Sequence, residues 1–142
     1  MKILIIGQAP PAVKQTLPYD TTLLYDMLEW AGISKAVAQE IFEFEALIDK
    51  FPGFVDGGHR VPSIEEINNH YKNVLADKIK AADKILVLGR VAETYLTHTV
   101  SYLDSYPDKR FLFLIHPSRR NYDRIMEQKD YITTQLKSFI YE

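Results

Sequence analysis

The chain has 142 residues, 46% of them hydrophobic and 25% charged, with a net charge of −2, a composition expected of one globular domain spanning residues 1–142. It contains no Cys, which excludes disulfides, thiolate nucleophiles, iron–sulfur clusters and Cys-based zinc sites together; a chain of this length buries a proper core without them. The slight acidity excludes a global pull toward nucleic acid, so any such binding rests on a local basic patch, and no apolar stretch approaches the roughly 20 residues that span a bilayer. Met1-Lys2 runs straight into a strand-like segment, so the expectation is a cytoplasmic chain without a signal peptide.

Lys2–Ile6 (KILII) is a near-continuous apolar run ended by Gly7, the pattern of a strand buried on both faces of a parallel sheet. After a loop through Tyr19, Leu23, Leu24, Met27, Leu28 and Ala31 recur at helical spacing, with Asp20 or Thr21 as N-cap and Gly32 as the stop. Ile41–Ile48 (IFEFEALI) alternates. It predicts a strand near the sheet edge, with Phe42, Phe44, Ala46 and Ile48 on one face and Glu43 and Glu45 on a solvated one. Phe51–Pro62 holds two prolines and three glycines and reads as a loop. Ser63-Ile64-Glu65-Glu66 is a capping box. It opens a long helix with apolar positions Ile64, Ile67, Tyr71, Val74, Leu75 and Ile79. Ile85–Leu88 is a third buried strand ended by Gly89, and a helix follows over about Val91–Leu96. Phe111–Ile115 is the fourth strand. A last helix starts near Tyr122 and turns Ile125, Met126, Ile132, Leu136 and Phe139 to the core. Alternating strands and helices predict an α/β fold, three layers α/β/α around a mostly parallel four-stranded sheet.

Two strand exits carry the chemistry. GQAPP, Gly7–Pro11, follows the first strand, and HPSRRN, His116–Asn121, follows the fourth. In an open α/β sheet, ligands bind outside the carboxyl ends of the strands. GQAPP has a Gly that permits close approach and prolines that fix the backbone, but neither dinucleotide-loop nor P-loop spacing. HPSRRN places a titratable His at a strand end, then a Ser, two Arg and an Asn within reach of an anion. Read singly, GQAPP is also an ordinary tight exit and Tyr19 a rim or core residue. In the same way Arg119, Arg120 and Arg124 form a solvated basic patch, and Asn121 is the N-cap of the last helix. His59, His70 and His98 read as surface or loop histidines without metal spacing.

Taken together, the two loops and the segments between them resemble the uracil-DNA glycosylase superfamily over most of the chain. GQAPP resembles its first motif, which cradles the flipped base. Leu17–Ile33 (LPYDTTLLYDMLEWAGI) resembles the segment with a base-stacking aromatic, here Tyr19. His59–Ile67 (HRVPSIEEI) and Ile85–Leu96 (ILVLGRVAETYL) resemble units of the thermostable iron–sulfur members, and HPSRRN resembles the last motif. The resemblance implies a hydrolase acting as a DNA N-glycosylase on uracil or another deaminated base. Its partner is DNA carrying such a base, with no membrane, metal or cofactor and a monomeric chain. It assigns His116 to stabilise the leaving base and Gln8 to hold water. Gly7, Ala9, Pro10 and Tyr19 bind the base, and Ser118, Arg119, Arg120 and Asn121 grip the DNA. Such a pocket needs an aromatic face and edge hydrogen bonds, and a donor aimed at the expelled pyrimidine anion stabilises the transition state.

The chain departs from the family pattern at three points. Ala9 stands where the best-known members carry a water-orienting Asp. No Asn occupies the second strand, where the matching position falls at Glu45 or Ala46, and an ionised Glu only accepts hydrogen bonds where an amide also donates. The cluster cysteines of the iron–sulfur members are missing. These departures keep a second expectation open, a non-catalytic module on the same fold that binds a nucleobase, nucleotide or nucleic acid.

Overall fold

A computed structural model describes residues 1–8, 22–55 and 58–142. Ala9, Pro10, Tyr19 and the expected caps Asp20 and Thr21 lie outside them.

The central sheet has four parallel strands in the order β2-β1-β5-β6: β1 is Ile3–Gly7, β2 Phe42–Ala46, β5 Lys84–Leu88 and β6 Arg110–Leu114. β1 and β5 are central, and their apolar runs divide by alternation. Ile3, Ile5, Leu86 and Leu88 enter one core cluster, and Leu4, Ile6, Ile85 and Val87 enter the other. A near-continuous apolar sequence is what a strand covered on both faces requires. The first cluster is covered by α1 (Thr22–Trp30), α2 (Lys35–Ile41), α7 (Tyr122–Glu127) and α8 (Lys129–Tyr141), through Leu24, Met27, Leu28, Ala38, Ile125, Ile132, Leu136 and Phe139. The second is covered by α3 (Ile64–His70), α4 (Ala76–Ala81) and α5 (Arg90–Thr94), through Ile67, Ile79 and Ala92. The three layers are those the sequence predicts.

Several details differ from the sequence reading. The loop Phe51–Pro62 carries a small antiparallel ladder, β3 (Phe54–Val55) with β4 (Gly58–His59). The long helix from Ile64 is interrupted by a π turn over Tyr71–Leu75 that joins α3 to α4, and a second π turn, Tyr95–Thr99, extends α5. The short helices α2 and α6 (Tyr102–Ser105) stand where no helix was expected. The last helix is two, broken at Gln128, whose backbone leaves the helical region. Met126 is an exposed residue rather than a core one, because Ile125 beside it takes the inward direction in α7. Ile64 is likewise exposed, one position after the N-cap Ser63.

β2 does lie at the sheet edge, and its Phe42 and Ala46 face the α1 side as expected. Ile48 does not share their face. The strand ends at Ala46, and Ile48 packs with Leu47 into the opposite cluster. Nor are Glu43 and Glu45 merely solvated. The Lys78 ammonium donates to Glu43 Oε1 at 3.0 Å and to Glu45 Oε2 at 2.7 Å, and Lys2 pairs with Glu43 at 3.2 Å. His70, expected on the surface, has a side chain only 9% exposed, with Nε2 3.4 Å from Glu45 Oε1. Partial burial pushes both carboxyls up, but the hydrogen bonds outweigh it: those from His70 and Lys78 on Glu45, and those from Lys78 and Lys2 on Glu43, hold them below the ordinary carboxylate range. Burial works against the Lys78 ammonium too, and the two glutamates still raise it.

Candidate active site

The carboxyl ends of β1, β5 and β6 reach one sheet edge because the strands are parallel. At the end of β5, Gly89 has φ +93° and ψ 163°, a conformation open essentially to glycine alone. Its N–H donates to Leu114 O at 2.9 Å, continuing the β5–β6 ladder past the strand. A Cβ at Gly89 would stand 3.3 Å from the Cβ of His116, inside ordinary carbon–carbon contact. Gly89 is thus the residue that lets the chain leaving β6 lie against the end of β5.

The HPSRRN loop is tied to one atom. The His116 carbonyl accepts from Ser118 N at 2.9 Å and from Asn121 Nδ2 at 3.0 Å, and Asn121 N donates to Ser118 O at 3.0 Å. Pro117 is buried beneath. Asn121 occupies the position before α7, but its side chain makes no capping bond. The amide is spent on His116 instead, which corrects the N-cap expectation and gives Asn121 a positioning role within the loop. Arg119 and Arg120 form a 3₁₀ turn, Arg119–Asn121, and are exposed, as is Arg124 one turn on.

His116 lines a cleft of about 400 Å³ with Pro117, Ser118 and Arg119 from its own loop, Tyr122 of α7, and Thr22, Leu23 and Asp26 of α1. Burial lowers the pKa of the imidazole below its usual value, so the ring is neutral near pH 7. Its Nδ1 is buried with no hydrogen-bond partner among the described residues. A stranded acceptor is tolerated more readily than a stranded N–H, which assigns the ring proton to Nε2. A neutral imidazole with its proton on one nitrogen is a hydrogen-bond donor that carries no charge.

The expected site residues divide accordingly. His116, Ser118 and Arg119 come together in the cleft, with Asn121 behind them and Arg120 beside them. Gly7 and Gln8 are not among the described lining residues. Their carbonyls accept from Leu47 N at 3.0 and 3.2 Å, tying the exit of β1 to that of β2. Glu45 is occupied by Lys78 and His70 on the opposite face of the sheet, and Ala46 is buried. Neither stands in for an amide in this cleft. The sequence reading missed Thr22, Asp26 and Tyr122. Asp26 is one helical turn beyond Thr22, a spacing that puts both on one face of α1, and Tyr122 is 50% exposed at the mouth.

The parallel sheet sets this cleft at its carboxyl edge, the place where open α/β sheets bind their ligands. A family model described as the uracil DNA glycosylase superfamily matches residues 1–139, and the chain belongs to that superfamily. No curated protein matches it. Among the described residues, no helix is long and apolar enough to cross a membrane.

Proposed function

We propose that the protein is a DNA N-glycosylase that hydrolyses the bond between deoxyribose and uracil or another deaminated base. The observation that carries this reading is His116, neutral, partly buried and locked by its own carbonyl in a cleft beside Arg119, within a chain of this superfamily. The target base leaves the stack to be reached. As the glycosidic bond breaks, negative charge grows on the departing base and positive charge on the sugar. Nε2–H of His116 donates to that growing negative charge, and a donor already fixed in position lowers the barrier with no reorganisation. Water then adds to the sugar carbon, and its proton goes to solvent or to a carboxylate. Asp26 is the carboxylate among the described residues that line the cleft, and it takes the water-orienting role that Ala9 cannot fill. Tyr19 has the role of stacking on the base, and the backbone of Gly7, Gln8, Ala9 and Pro10 that of holding base and water. Ser118, Arg119 and Arg120 hold the phosphates on either side, which position the strand without reading its sequence.

The test is incubation with single- and double-stranded oligonucleotides carrying uracil, hypoxanthine or xanthine, followed by cleavage at abasic sites. Product is expected on at least one base and is expected to fall at least a hundredfold in His116→Ala, the scale of losing one preorganised donor. Absence of product on all three, or product indifferent to His116→Ala, defeats the reading. A second reading is favoured by one observation: of the two residues matching the family's base-reading amide, Glu45 is consumed by Lys78 and His70 and Ala46 has no polar side chain. On that reading the protein binds a base without cleaving it. Saturable binding of base-containing oligonucleotides with no abasic product would decide for it.

A further inference from the structure

A second cavity of about 430 Å³ lies at the carboxyl end of β2, between the turn Ile48–Lys50 and the helix that begins at Ile64. It is on the face of the sheet opposite the His116 cleft, since α3 covers the second core cluster and α1 the first. β2 and β6 are the two edges of the sheet, three strand spacings or about 14 Å apart, so one base cannot occupy both. Its size falls in the ~300–1,000 Å³ range of small-molecule sites.

The helix contributes Glu66, Asn69, His70 and Asn73, which recur at three- and four-residue spacing and so share one face. Their existing commitments narrow the ligand. Glu66 is spent on Arg60, through two bonds at 2.8 and 3.0 Å, and on the backbone N–H of Ser63 at 3.0 Å. Those bonds hold its pKa down to about 2, so it stays ionised and occupied. His70 is oriented by Glu45. Asp49 and Lys50 face the same space with opposite charges. That leaves Asn69 and Asn73, whose amides have no side-chain partner among the described residues. Each amide offers paired donors and an acceptor. The π turn Tyr71–Leu75 carries Asn73, and turns of this kind concentrate at functional sites. An electrically balanced cavity with two free amides suits a neutral planar heterocycle whose edge alternates donors and acceptors. Arg119, free among the described residues to hold a phosphate, lines the other cleft, whereas Arg60 beside this one is occupied by Glu66.

We propose that this cavity is a second nucleoside-binding site, in which Asn69 and Asn73 read the edge of a base while another base occupies the His116 cleft. The choice of a nucleobase over other neutral amide-type ligands rests on the function proposed above. The base arrives either as a free nucleoside or within a strand already engaged at His116. The test is an amide-resolved NMR titration of the full chain carrying His116→Ala, so that the outcome does not depend on excision. The probes are deoxyuridine, thymidine and deoxyadenosine to millimolar concentration and, separately, a short single-stranded oligonucleotide.

Saturable shifts are expected at residues 48–50 and 66–74. Adding Asn69→Ala and Asn73→Ala is expected to weaken binding by about tenfold or more, the loss of two neutral hydrogen bonds. Asn73→Asp, which keeps shape and removes the donors, checks that the loss is not misfolding. Shifts with nucleosides alone identify a free ligand, and shifts with the oligonucleotide at lower concentration identify a base in the strand. No saturable shift at these residues with any probe, or equal affinity in the Asn variants, overturns the proposal. An inactive wild type that still titrates here would defeat the glycosylase reading and leave this site standing.

Discussion

Gly89→Ala tests the packing that holds His116 in place. Two costs arise from the geometry. An L-residue at φ +93° and ψ 163° sits in a region essentially reserved for glycine, which costs on the order of 1–3 kcal/mol. The new methyl also stands 3.3 Å from His116 Cβ, so the imidazole must retreat by a few tenths of an ångström or β5 must yield. A loss of about 2 kcal/mol lowers the melting temperature by roughly 4–8 °C in a chain of this size. A catalytic donor displaced on that scale is expected to lose about tenfold to a hundredfold in excision. Gly53 supplies the control. It has φ +99°, but a Cβ there would meet nothing within 4 Å, so Gly53→Ala pays backbone strain alone. Calorimetry and an abasic-site assay on both variants separate the terms. Both should melt lower, and only Gly89→Ala should lose excision or base binding. Equal activity in the two variants would refute the claim that Gly89 exists to seat His116.

Three further outcomes are expected. Burial lowers the pKa of His116 in the folded state, so the unfolded chain takes up its proton first as pH falls below about 6.5. Stability therefore falls in that window, and urea midpoints between pH 7.5 and 5 should lose this slope in His116→Gln; an unchanged slope would contradict a neutral buried ring. Glu43 and Glu45 have depressed values, so their contribution is complete above about pH 4.5 and lost as pH drops through their folded values. Lys78→Met strands the partly buried Glu45 without its closest partner and should cost about 1–3 kcal/mol by urea unfolding at pH 7, the penalty for an unpaired buried acceptor. Finally, Arg119→Gln and Arg120→Gln should each reduce the salt dependence of DNA binding by about one ion while weakening all sequences alike, as fluorescence anisotropy at several salt concentrations would show; a change confined to one sequence would instead mean base reading.

β1 and β5 were legible because burial on both faces leaves a short apolar run, and β6, half-buried at the edge, carries one as well. β2 was legible by its alternation, but its end was not. Ala46, Leu47 and Ile48 are all apolar, and only the sheet decides where the pairing stops and the alternation with it. The π turns were illegible because Tyr71, Val74 and Leu75 keep a helix-like spacing through the irregularity. His70 read as a surface residue because the partner that buries it, Glu45, is brought to it only by the packing of α3 on β2. Asn121 read as a cap because its position before a helix is visible in sequence, whereas the His116 carbonyl that claims its amide is not. The same asymmetry governs the site. His116 and Arg119 announced themselves at a strand end, while Asp26 and Tyr122 are ordinary residues on ordinary helices until α1 and α7 close on one cleft.

The position of β6 bears on the precision of this cleft. Among the described residues β6 pairs with β5 alone, so the placement of His116 is inherited from a single ladder. A slip of one residue along that ladder would carry the imidazole about 3.3 Å and turn it to the other side of the sheet. The bond from Gly89 N to Leu114 O lies just beyond the last paired residues, Leu88 and Leu114. It acts as a register stop, and a glycine without a side chain thereby sets the alignment of the histidine across from it.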